Sequence, residues 1–304
     1  MTRRRPVPPL TECAATPDSH PAPAMTWRLL VSGAGDGALN MAVDEALLHS
    51  AIDGGQPVLR LYAWSPPAVS LGYFQELDDA SINRAEIQRR GFGLVRRPTG
   101  GRAILHKHEI TYSVAARQAD IAGGGSLMGA YRTISRGVEA GLNLLGIGAA
   151  LAEKTGGRDL DRSSLPTVCF GHPAKADMVA AGRKIVGSAQ VRRRDALLQH
   201  GAIPISIDPA EHLAVMPGGL GNADADAADT GRLAQIACGV ADMIGREPSF
   251  DQLSETIAEG FREALGIGLE PGGLTAEETE MAERLRTGKY HNPDWTLHRR
   301  DPLA

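Results

Sequence analysis

The chain is short of several things, and each shortage closes off a class of function. It has only three cysteines, Cys13, Cys169 and Cys238. They are too far apart for a disulfide framework or for paired metal-ligand spacing, so no metal is expected, and a reducing, cytoplasmic setting fits best. No apolar run reaches the ~18 residues that span a bilayer, and no membrane partner is expected. Positive charge is not in surplus either. With 32 Lys and Arg against 36 Asp and Glu, the net charge is −4, which argues against a nucleic-acid binder held by phosphate attraction. No G-x-x-x-x-G-K-[ST] loop occurs, so phosphate chemistry has no independent support.

What is present begins with a compositional break. Residues 1–24 are proline-rich and aperiodic, with no apolar core behind Arg3-Arg4-Arg5, so they do not read as a signal peptide. They are expected to be a disordered tail or a mis-called start. One domain is expected over 25–295, with a catalytic core over about 40–250 and C-terminal helices over about 230–290. WRLLVSGAGDGALNMAVDEALL imitates a dinucleotide-binding turn through Gly33, Gly35 and Ala38. The second strand, PVLRLYAW, ends without the acid that such a site needs for a ribose hydroxyl, so the glycines are read as a loop before a helix starting near Leu39. AVSLGYF looks like an antiparallel partner of that second strand.

Further along, short strands and helices alternate without repeats. Helices are expected over Ile82–Arg90, Leu127–Leu145, Pro209–Val215 and residues 230–244, 249–266 and 275–286, the last capped by Thr275. RAILHKHEITYSVAA reads as a strand pair or one bent strand. Polar surface loops are expected at 152–167 and, as a mobile one, at 218–229. Hairpins mixed with helices indicate an α+β fold, a mixed sheet flanked by helices.

Two stretches carry chemistry. In VRRPTGGRAILHKHEITYS, Arg96 and Arg97 end a strand, Pro98 and Thr99 turn the chain, and Gly100-Gly101 allow close backbone approach. A returning strand then ends near His106. Backbone N–H groups beside an arginine suit a carboxylate, a thioester carbonyl or a phosphate; a solvated arginine pair at a tight turn is the plain alternative. In CFGHPAKADMVAAGRKIVGSAQVRRRDALLQHG, Cys169 precedes Lys184 in a Gly-Arg-Lys turn, and the strands KIVGSAQVR and ALLQHGAIPI follow. This offers a thiol nucleophile, a cation to hold it as thiolate, and a small-residue hairpin for a slender ligand. A buried cysteine beside an ordinary hairpin is the plain alternative.

Taken together, RRPTGGRAILHKHEITYS, CF and GRKIVGSAQVRRRDALLQHGAI, with NMAVDEALL, LRLYAWSPPAVSLGYFQ and KY…PDW, closely resemble the octanoyltransferases of the lipoate-protein ligase superfamily. The cysteine-dependent, Gram-positive branch is the most similar, and the likeness spans Trp27 to about Trp295. It implies the catalytic domain shared by biotin and lipoate ligases. It also implies Cys169 as the acyl-thioester nucleophile and Lys184 as the lysine that lowers its pKa. Arg97, Thr99, Gly100, Gly101, His106, Gly187, Ser188 and Ala189 would line the acyl pocket. No cofactor is implied. The partners would be octanoyl-acyl carrier protein as donor and lipoyl-domain proteins as acceptors, namely glycine cleavage H protein and 2-oxoacid dehydrogenase E2 subunits, with the enzyme a monomer. The sequence departs from the family at Lys107, where relatives often carry Asp, and at Gly171-His172-Pro173 after Cys-Phe. Arg102 stands where ligases usually have a third glycine, which favours a transferase over an ATP-dependent ligase. An amidotransferase that moves octanoyl between lipoyl-domain proteins is the other alternative.

The thiol chemistry can be sized. A thiol of pKa about 8.5 is only about 3% thiolate at pH 7. Lowering that pKa by roughly two units raises the fraction about 25-fold, while a Brønsted slope near 0.45 cuts nucleophilicity about 8-fold, a net gain of around 3-fold. Lys184 would therefore act more by positioning the thiolate or offsetting charge on the acyl oxygen. Elsewhere, Cys238 is expected buried in a helix, His108 exposed, and His172 and His200 structural as readily as catalytic. Arg192-Arg193-Arg194 at the hairpin tip reads as a solvated run or as a docking point for acidic carrier and lipoyl domains.

Overall fold

The computed structural model describes residues 25–77, 81–152, 177–217 and 227–303. Cys13, Cys169 and His172, residues 1–24, the 153–167 part of the expected surface loop and residues 218–226 lie outside them.

The chain opens with strand β1 (Thr26–Gly35), helix α1 (Gly37–Ile52) and strand β2 (Val58–Trp64). β1 and β2 are parallel, so α1 crosses one face of the sheet. Asp36 caps α1, accepting the Leu39 N–H at 2.7 Å. The expected glycine loop is instead strand: β1 runs through Gly35 and absorbs Gly33 in a bulge after Val31. β3 (Ala68–Leu71) is not the partner of β2 either. It crosses into a separate three-stranded sheet with β4 (Gly93–Arg96), which follows the short helix α2 (Arg84–Arg89), and with β5 (Ile104–His106). The run after Arg102 is therefore two strands in different sheets. His108, at φ 50°, lies in the break before β6 (Glu109–Arg117) and is exposed, as expected.

The larger sheet continues after helix α3 (Leu127–Leu144) with β7 (Ala149–Leu151), β8 (Met178–Ala180), β9 (Arg183–Arg193) and β10 (Ala196–Pro204). Helices α4 (Pro209–Val215), α5 (Ala227–Ile236), α6 (Val240–Ile244) and α7 (Phe250–Leu265) follow, then β11 (Gly268–Pro271), α8 (Ala276–Leu285) and α9 (Pro293–His298). The strand order is β11-β1-β2-β6-β10-β9-β8-β7, parallel at β11-β1-β2 and antiparallel beyond. This is the mixed, helix-flanked sheet expected. Residues 227–229 begin a helix rather than end a loop, and the helix expected over 230–244 is broken at Ala237–Gly239. Cys238 is buried in that break, not within a helix.

Strand alternation sorts the core. On β6, Ile110, Tyr112 and Val114 face α3 and α7. Those two helices touch through glycine: a Cβ at Gly260 would lie 2.1 Å from the Gly141 nitrogen. The other face of β6 carries Glu109, Thr111 and Ser113, and these are buried too. Above them lies α1, whose Asn40, Asp44 and Glu45 all point inward. Buried polar groups on both elements mark the face on which the site is built.

The chain end locks this face. The Lys289 ammonium pairs with Glu45 at 3.0 Å and Asp301 at 2.7 Å, and lies 4.0 Å over the Trp295 ring. Tyr290 donates to Glu45 at 2.6 Å. Trp295 Nε1 donates to the Arg96 carbonyl at 2.9 Å.

Candidate active site

The arginine turn is held by its own side chains. Arg96 and Arg97 are not solvated but almost wholly buried, at 1% and 5% exposure. Arg96 donates through Nη1 to the carbonyls of Gly72, Tyr73 and Gln75, and through Nε to that of Thr296. Burial, helped by Arg299 and Arg97, pushes its pKa down to about 10, still cationic at neutral pH. Arg97 donates to Ser70 O and Oγ at 3.1 and 3.0 Å, and to the Gly100 and Arg102 carbonyls at 2.8 Å. The turn is thereby wrapped around a guanidinium. Gly101 takes φ +95°, and a Cβ at Gly72 would fall 1.9 Å from the Gly101 carbonyl oxygen, so the two backbones meet only as glycines.

Opposite stands the β9–β10 hairpin. Ser188 faces Gly201 across the ladder, and Gly201 in turn faces Tyr112 of β6. The Tyr112 hydroxyl lies 2.8 Å from Ser188 Oγ. Between turn and hairpin is a narrow cleft, also lined by Met41 of α1 and Ile104 of β5.

Two imidazoles are fixed on its walls. His106 stacks on Trp64, with centroids 3.9 Å apart and planes 8° off parallel. Its Nδ1 lies 2.8 Å from Glu109 and its Nε2 2.8 Å from Ser70 Oγ. With Nδ1–H donating to the carboxylate, Nε2 accepts the Ser70 hydroxyl, whose oxygen accepts from Arg97. Glu109 also accepts from Thr111, and Thr111 from Trp64. His200 sits between Asp44 Oδ2 at 2.9 Å and Thr99 Oγ1 at 2.7 Å. Asp44 further accepts from Arg60, Ser113 and Tyr62. Burial alone would raise Asp44, but the His200 hydrogen bond, Arg60 and Ser113 outweigh it and hold the carboxyl below its usual range. Burial depresses His200 despite the pull of Asp44, and Arg97 and His106 add to the drop. The ring is thus neutral, donating from Nδ1 and accepting the Thr99 hydroxyl at Nε2.

Arg97, Gly101, His106, Gly187, Ser188 and Ala189 line this one cleft. Thr99 stands behind it, bonded to His200, and Gly100 gives its carbonyl to Arg97. Lys184, three residues before Gly187 on β9, is 2% exposed, with its Nζ 2.8 Å from Asp177 Oδ2. Sequence reasoning missed Asp44, Ser70, Glu109, Thr111, Asp177 and Gly201. The one signal available was the polar alternation of Glu109, Thr111 and Ser113, which imitates a solvent face. The hairpin-tip arginines are largely committed within the fold. Arg192 donates to Gln118 Oε1 and to the Gly124 and Ser126 carbonyls, and Arg193 pairs with buried Glu45, leaving Arg194 exposed.

The profile of the lipoyl protein ligase A/B catalytic domain matches residues 36–262, and the chain belongs to that family. It is 42% identical to octanoyltransferase LipM of Kyrpidia tusciae over 276 residues, covering 90% of this chain and 99% of that protein. It is 39% identical to octanoyltransferase LipM of Moorella thermoacetica, covering 91% of this chain and 100% of that one. Among solved structures it is similar to lipoate-protein ligase A bound with ATP, at a TM-score of 0.73 and 27% identity, covering 90% of this chain and 99% of the other.

Proposed function

We propose that this chain transfers an octanoyl group from octanoyl-acyl carrier protein to a lysine of a lipoyl-domain protein, through an acyl thioester on Cys169. The observation that carries the reading is near full-length similarity to octanoyltransferases, 42% over 99% of the Kyrpidia tusciae protein. The cleft is its physical counterpart. Both imidazoles spend their nitrogens on protein partners, so they offer ring surface to a ligand, and the hairpin wall is glycine, serine and alanine. Such a slot suits a slender acyl chain.

In the first step Cys169 Sγ attacks the donor thioester carbonyl. A new C–S bond forms, the carrier's C–S bond breaks, and the carrier thiolate takes up a proton. In the second, the acceptor lysine amine attacks the acyl-enzyme. A C–N bond forms, the Cys169 C–S bond breaks, and the amine's proton returns to the thiol. Thioester exchange is nearly even and amide formation runs downhill, so no nucleotide is needed. Lys184 offsets charge on the acyl oxygen or positions the thiolate. The acceptors fitting this chemistry are glycine cleavage H protein and 2-oxoacid dehydrogenase E2 subunits.

An ATP-dependent ligase has the 27% likeness to ATP-bound ligase A behind it. Purified protein mixed with octanoyl-carrier and H protein separates the two. Octanoyl-lysine forming from octanoyl-carrier without nucleotide, with ping-pong kinetics, is expected; no product from the carrier, but product from free octanoate plus ATP, whose carboxylate can be adenylated, selects the ligase. Full rate from a Cys169→Ser variant rules out the covalent route.

A further inference from the structure

Lys184 is anchored twice. Its carbonyl accepts the Cys238 N–H at 2.9 Å and the Cys238 thiol at 3.7 Å, and Ala237 bridges it in parallel, so the break between α5 and α6 fixes its backbone. Its tip meets Asp177, just ahead of β8, at 2.8 Å with both side chains buried. A buried ammonium keeps its proton only beside a compensating anion, since burial alone favours the neutral amine. An amine that lost its proton could no longer offset negative charge on an acyl oxygen or a sulfur. The pairing also spends part of the lysine's charge. That limits how far it lowers a thiol's pKa, and leaves aim as its main contribution.

We propose that Asp177 is a positioning residue that keeps Lys184 charged and aimed. The proposal rests on the role given to Lys184 above. Among the described residues, the charged and titratable groups on the elements packed against Lys184 include Cys238, the Arg183–Asp242 ion pair at 3.8 Å, and buried Asp229 on α5, which packs on β9. Cys238, pushed up to about 11 by burial, stays a thiol through neutral pH.

The test is single-turnover acylation by octanoyl-carrier from pH 6 to 10, with wild type, Asp177→Asn, Asp177→Glu and Lys184→Met side by side. Asp177→Asn is expected to lose at least 10-fold in rate at pH 9, with a descending alkaline limb about two units below that of wild type and carrier KM within about 3-fold. Asp177→Glu, which restores the charge, should recover most of the rate and move the limb back. A merely structural aspartate would lower folded protein without moving the limb. Wild-type pH dependence in Asp177→Asn overturns the inference if Lys184→Met is inactive, whereas an active Lys184→Met overturns the role of the lysine itself. Should Asp177→Asn not fold, ¹⁵N-lysine NMR of wild type decides: the Lys184 ammonium should hold its proton past pH 9, and titration below that refutes the pairing's role.

Discussion

Adding one methyl group at Gly201 should damage stability and substrate binding together. A Cβ there would lie 2.4 Å from Ser188 Oγ, 2.6 Å from Tyr112 Cε1 and 3.0 Å from the Gly187 carbonyl oxygen. The serine hydroxyl can rotate away, but Tyr112 is fully buried and bonded to Gln199 at 3.0 Å, so the β9–β10 ladder must open. Overpacking of this kind costs about 1–3 kcal/mol. At roughly 2–4 °C per kcal/mol, Tm should fall by about 2–12 °C. The methyl points to the Tyr112 side of the sheet, but Gly187, Ser188 and Gly201 give the cleft wall its backbone, so an opened ladder distorts the slot, and KM for octanoyl-carrier should rise by an order of magnitude or more. Gly260→Ala is the control: it clashes at 2.1 Å with the α3 backbone, on the far side of the sheet. It should lower Tm and leave KM alone. Thermal melts and steady-state transfer on both variants decide the matter. Gly201→Ala with wild-type KM, or Gly260→Ala with an equal rise, would refute the placement of the acyl slot.

Asp44→Asn leaves Arg60 buried against a neutral partner, where 2.8 Å now separates it from a carboxylate. Breaking a buried pair costs about 3–5 kcal/mol, so urea unfolding should show a loss of that size. His212 is held down to about 4 by burial and by His106. The unfolded chain therefore takes up a proton that the fold refuses as pH drops from 6.5 to 4. Stability complete above pH 6.5 should fall by about 3 kcal/mol by pH 4, and His212→Leu should flatten that slope. Arg96→Lys cannot reach three loop carbonyls and Thr296 at once. Proteolysis at the 72–77 loop should accelerate several-fold, and an unchanged cleavage rate would count against the clamp.

The elements readable from sequence were those whose apolar period matched their burial. α3 and α7 are amphipathic helices, and α4 begins at the proline where it was expected. α1 was legible as a helix, but not as the hub of the site. It is buried nearly all round, so Asp44 and Glu45 look like surface acids until β2, β6 and β10 close over the first and Arg193, Lys289 and Tyr290 over the second. The pairing of β2 with β3 failed for a related reason. Short apolar runs either side of Ser65-Pro66-Pro67 read like a hairpin, yet that bend carries the chain into a second sheet. At the site, RRPTGG was legible because its residue types are unusual together. The burial of its arginines was not, since nearly all their acceptors are backbone carbonyls, from residues 70–75, 100, 102 and 296, that no pattern of side chains reveals. Asp177 was hidden likewise: seven residues before Lys184, it meets the lysine only because β8 folds back on β9.

Covalent transfer through Cys169 is tested by peptide-mapped mass spectrometry of the wild-type protein after incubation with octanoyl-carrier in the absence of nucleotide. One octanoyl adduct is expected, on Cys169, which disappears when H protein is added and reappears as octanoyl-lysine on that acceptor. An unmodified Cys169 under conditions where octanoyl-lysine still accumulates would contradict it.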